Sequence, residues 1–94
     1  MLLSWFDASE AKEFGISLAK FYIERLPLDA PNKPVKAQET LTKMLQQVAR
    51  FKLNHQLNVY RKAQLGNAFK WTLKDAGYDS HFADALTKEL MIDL

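Results

Sequence analysis

Cysteine is absent from the 94 residues, which excludes a disulfide framework, cysteine-based zinc sites and thiol catalysis. Glycine is scarce. Gly15, Gly66 and Gly77 stand far apart, so there is no glycine-rich loop to cradle a phosphate. The three prolines are confined to Pro27, Pro31 and Pro34, where they forbid a helix interior and mark residues 27–34 as the one clear linker. No apolar run approaches the ~18–20 residues needed to span a membrane. The apolar opening from Met1 to Phe6 lacks a basic leader and is interrupted by Asp7, so no targeting signal is expected and the cytoplasm is the expected location. No alternating run enriched in β-branched residues suggests a strand, and no internal repeat is visible.

What is present is enough apolar material to fold: 48% of residues are apolar and 12% aromatic, far from the composition of a disordered chain. The length suits one domain. Helical spacing dominates, and it predicts an all-α fold of four helices over about 7–26, 34–55, 59–76 and 80–92. The expected architecture is a small four-helix bundle or a set of helical hairpins, with dimerisation as a way to complete it.

In the first helix, Phe14, Leu18, Phe21 and Tyr22 share a face, and Ile16, Ala19, Ile23 and Leu26 form a second apolar row beside it. Only Glu13, Ser17, Lys20 and Glu24 draw a narrow polar stripe. Such a helix needs cover on two sides, from its own chain or from a partner. Asp7 with Glu10, or Ser4 with Asp7, has the spacing of a capping box. Gly15 costs roughly 1 kcal/mol against alanine in a helix interior and suits a close backbone approach.

After the linker, Ala37, Leu41, Met44, Leu45, Val48, Phe51 and His55 line one face. The phase slips beyond Asn54, which places a break within 54–58. A single helix from 35 to 76 would run about 63 Å, far beyond a compact chain of this length, whose radius of gyration is ~13 Å. Leu65, Phe69, Leu73 and Ala76 make the third apolar face. Gly77 then suits the left-handed residue after a helix, and Asp79 or Ser80 the next N-cap. The last helix offers Phe82, Ala85, Leu86 and Leu90.

Candidates for chemistry are few. Asp79, Ser80 and His81 are adjacent on a helix cap and do not point at one another, as a nucleophile and its base must. His55 falls near a helix end, where its nitrogens can meet free carbonyls. No Glu-x-x-His pair exists to build a bundle-type metal site. No enzymatic activity, metal or cofactor is expected. A deep pocket gathering His55 with carboxylates from other helices would reopen the enzymatic reading.

Charge is unevenly distributed. The net charge of +2 is a balance between residues 33–74, where nine Lys and Arg face Glu39 alone for +8, and flanks of −2 (1–32) and −4 (75–94). Lys36, Lys43 and Arg50 recur every seven residues and lie near one line on a helix. Two functional expectations follow. The first is a cytoplasmic protein-binding module, self-associating through helix 1 and the N-terminal apolar segment, with Leu2, Leu3, Trp5, Phe6, Phe14, Leu18, Phe21, Tyr22 and Trp71 at the interface. The second is nucleic-acid binding by the basic segment 33–74, with Lys36, Lys43, Arg50, Arg61 and Lys62 on phosphates. A membrane partner is not expected.

Overall fold

The computed structural model describes residues 7–29, 33–92 and 94. Four helices account for most of them: α1 (Ser9–Arg25), α2 (Pro34–Asn54), α3 (Val59–Asp75) and α4 (Ser80–Met91). Among the described residues there is no strand. The chain is a small all-α four-helix bundle with a radius of gyration of 13.4 Å.

Its topology is two antiparallel hairpins, α1–α2 and α3–α4, laid side by side so that α1 meets α3 and α2 meets α4. Consecutive helices α2 and α3 therefore occupy opposite corners. The direction of each helix follows from its contacts. Arg61 near the start of α3 bonds Asp7 just before α1, and Tyr78 after α3 bonds Leu26 after α1, so α1 and α3 run parallel.

The α1–α3 crossing is the most extensive contact in the bundle. A Cβ on Gly15 would collide with the Leu65 carbonyl oxygen and lie 3.1 Å from the Ala68 Cβ. Glycine is required there because backbone meets backbone, which is the close approach its place in the helix suggests. Leu18 and Ala19 from α1 and Leu65, Phe69 and Leu73 from α3 are fully buried around this crossing, with Met44, Ala83 and Leu90 from α2 and α4.

The helix ends have local causes. Pro34 occupies the first turn of α2, where a missing amide costs nothing. Asn58 caps α3 by accepting from the Arg61 amide at 2.8 Å, and Asp79 caps α4 by accepting from the Phe82 amide at 3.0 Å. Gly77, at φ 97°, closes α3 in a Schellman motif: the Tyr78 amide donates to the Leu73 carbonyl and the Gly77 amide to the Lys74 carbonyl.

Three local expectations are corrected. No side chain caps α1, whose N-cap is Ala8. Asp7 instead accepts from the Ser9 amide and hydroxyl, and Glu10 turns away to His55, so the Asp7–Glu10 capping box does not form; Ser4 lies outside the described residues. On α4 the buried face is Ala83, Leu86 and Leu90, while Ala85 is exposed and Phe82 sits at the edge. On α3, Ala76 is exposed because the chain has already begun its turn there.

Candidate functional site

Where α1 begins and α2 ends, a cleft of about 340 Å³ is lined by Asp7, Glu10, Phe51, Asn54, His55 and Arg61, among others. It gathers His55 with carboxylates from another part of the chain, the arrangement that would reopen an enzymatic reading, so its geometry decides what it can do. His55 Nε2 lies 2.6 Å from Glu10 Oε2, and His55 Nδ1 lies 3.1 Å from the Phe51 carbonyl oxygen one turn back. Both ring nitrogens are engaged by acceptors within the chain.

The ring is also fixed by stacking. His55 lies parallel to Phe51 at 4.0 Å between centroids, and Phe51 lies parallel to Phe14 at 4.3 Å. This three-ring stack joins α1 to the C-terminal end of α2, and the imidazole covers one of the carbonyls that every helix leaves open at its end. Sequence spacing placed His55 against helix-end carbonyls, which is where it is; the Glu10 partner, 45 residues away, had no sequence signal because Glu10 also fitted a cap.

Arg61 closes the cleft from α3. Its Nε donates to the Asp7 carbonyl at 2.9 Å and its Nη1 to the Gln56 carbonyl at 2.8 Å. The hydrogen bonds from Ser9, helped by the nearby Arg61 charge, hold the Asp7 carboxyl below its ordinary range. Lys62 is likewise turned inward, its Nζ donating to the Leu94 carbonyl. Arg61 and Lys62, expected on phosphates, are thus used to fasten this end of the bundle. Among the described residues, no group of three or more His, Cys, Asp or Glu is placed to hold a metal ion.

The expected protein interface separates into parts. Leu18 and Tyr22 are buried in the chain's own core, where α3 and its neighbours cover them, so they are not available to a partner. Phe14 is half-buried in its stack with Phe51, and Phe21 is half-buried beneath the Arg25 guanidinium at 5.4 Å. Most of the broad apolar arc of α1 is covered within the chain, by α3 and α2, while Ile16 of its second row is exposed. Leu2, Leu3, Trp5 and Phe6 lie outside the described residues.

Trp71 is different. It is 55% exposed and stands on the side of α3 opposite Leu65, Phe69 and Leu73. Lys74 Nζ lies 4.9 Å from its ring centroid and Lys70 Nζ 5.9 Å. Lys74 also pairs with Asp84 of α4 at 3.1 Å, and that hydrogen bond holds the Asp84 carboxyl below the usual carboxylate range. The indole is thus flanked by positive charge on its α4 side. Along the same ridge, at steps of four, lie Val59, Ala63 and Asn67, all exposed.

The remaining basic candidates, Lys36, Lys43 and Arg50, sit on one flank of α2. Lys43 and Arg50 are exposed and Lys36 half-buried. The ion pairs His55–Glu10 and Lys74–Asp84 leave this row untouched.

No family model, no curated protein and no solved structure matches the chain. Among the described residues no helix is long and apolar enough to cross a membrane.

Proposed function

We propose that this chain is a non-enzymatic helical interaction module that pairs with a second copy of itself through the outward ridge of α3. The observation that carries this reading is the half-exposed indole of Trp71, in a chain whose other described aromatics are packed against the core or at its edge. Val59, Ala63, Asn67 and Trp71 form an i, i+4 ridge with a large apolar residue at each end and small residues between. Two such ridges pack at about −50° when helices cross. The pattern is self-complementary under a two-fold axis, which sets Trp71 of one copy against Val59 of the other. The interface first expected on α1 is thereby moved to α3. The cytoplasm is the proposed compartment, in keeping with the lack of cysteine.

Sedimentation velocity from low to high micromolar concentration tests the proposal. The expected result is a monomer–dimer equilibrium, displaced toward monomer by Trp71→Ala and abolished by Ala63→Arg, with unchanged helical circular dichroism in both. A chain that stays monomeric to high micromolar concentration, or one whose dimer is indifferent to both substitutions, would refute it.

A further inference from the structure

We infer that the outer flank of α2 is a second binding surface, one that tracks the phosphates of a nucleic-acid backbone. It is independent of the α3 ridge, since α2 and α3 stand at opposite corners of the bundle. Three features of α2 support it.

The first is geometry. Lys36, Lys43 and Arg50 advance by seven residues each, close to two full helical turns, so they remain near one line. From Lys36 to Arg50 that line covers about 21 Å at 1.5 Å per residue.

The second is electrostatics. α2 carries Lys36, Lys43, Arg50 and Lys52 against Glu39, a net +3. Among the described residues no carboxylate lies within ion-pair distance of Lys36, Lys43 or Arg50. Among the described residues, the acidic side chains that balance the basic middle in the total do not pair with this row. Arg61 and Lys62 are already committed to backbone carbonyls, so three contacts, and not five, are assigned.

The third is chemistry. The polar side chains that share this flank are Glu39, Gln47 and Asn54, and the exposed Val35 and Leu53 stand beside it. A phosphate backbone needs only the donors and charge of the row; a lipid surface would also bury Val35 and Leu53, and vesicle binding distinguishes the two.

Fluorescence anisotropy of labelled oligonucleotides of one sequence, presented as duplex DNA, duplex RNA and single strand, tests the inference across a salt series. Three neutralised phosphates predict a log–log slope of about −2.7 on duplex DNA and about −2 on a single strand. On duplex DNA that is roughly a 40-fold loss of affinity between 50 and 200 mM salt. The variant Lys43→Ala/Arg50→Ala should flatten the duplex DNA slope to about −0.9, or roughly a 4-fold loss over the same range. Both residues are exposed, so circular dichroism should not change. The inference is overturned by no binding to any oligonucleotide at 50 mM salt, by a double variant with the wild-type slope, or by preferred binding to phosphatidylserine vesicles at equal ionic strength. Ala63→Arg serves as the control for the dimer: loss of self-association with nucleic-acid binding intact separates the two surfaces.

Discussion

The phenol of Tyr78 donates a hydrogen bond of 2.6 Å to the carbonyl of Leu26, joining the turn after α3 to the residue that ends α1. The Tyr22 ring lies edge-on to Tyr78 at 6.0 Å, and both are buried. Burial pushes both phenols above their ordinary value, aided by their mutual proximity at Tyr22 and by Asp29 at Tyr78. A phenol that ionises less readily in the folded state than in the unfolded one favours folding fully below the unfolded value, near 10, and ceases to do so as pH rises through the folded one. Thermal unfolding should therefore be steady to about pH 9 and shift to lower temperature above pH ~10. Tyr78→Phe should cost about 1 kcal/mol at neutral pH through the lost hydrogen bond, and Tyr22→Phe/Tyr78→Phe should weaken the alkaline transition.

Two buried glycines give opposite expectations, Gly15 at the α1–α3 crossing and Gly66 where α3 faces α4. Gly15→Ala adds a methyl that meets backbone, so it should lose about 2–3 kcal/mol in urea denaturation despite the ~1 kcal/mol that alanine gains in a helix. Gly66→Ala adds a methyl 3.3 Å from the Met91 sulfur, the end of a flexible side chain that can give way. It should be neutral or stabilising by up to about 1 kcal/mol. Equal effects at the two sites would mean that backbone contact is not what Gly15 provides.

Thr40 is fully buried, and its hydroxyl both donates and accepts. It donates to the Lys36 carbonyl at 2.7 Å and accepts from Arg25 Nε at 3.0 Å, pinning the end of α1 to the start of α2. Thr40→Val keeps the shape but leaves the guanidinium without that acceptor, at a cost of about 1–2 kcal/mol. Thr40→Ser should recover most of it. A silent Thr40→Val would show that Arg25 is satisfied by water.

Removing the middle of the three-ring stack should loosen the other end of α2. Phe51→Ala takes away the partner of both Phe14 and His55 and should cost about 2–3 kcal/mol. The His55 ring resonances in an NMR spectrum should also move toward those of a mobile imidazole. A large stability loss without a change at His55 would mean that Glu10 alone orients the ring.

These cases show what was legible in the chain. The phase slip after Asn54 marked a real break, because periodicity is a local property. The close approach at Gly15 was also legible, though not its opponent, the Leu65 carbonyl. The breadth of the apolar arc on α1 says that two neighbours are needed and not whose; Leu18 and Tyr22, which the pattern offers equally to a partner, belong to the core. Summed charge failed at Arg61 and Lys62 in the same way. A count of positives cannot register that distant carbonyls claim two of them. Glu10 fitted a cap three residues from Asp7, and only the fold shows that a histidine outcompetes it.

The parallel alignment of α1 with α3 bears on how the chain is made. The contact that buries most of α1 joins segments about fifty residues apart in the sequence, so loop-closure entropy must be met before that contact rewards it. A nascent chain that has emerged only through α2 lacks the cover for Leu18 and Ala19. Folding then waits for α3, and the bundle should assemble in one late, cooperative step. Native-state hydrogen exchange should accordingly show the amides of α1 and α3 opening together at the global limit, with those of α2 exchanging first.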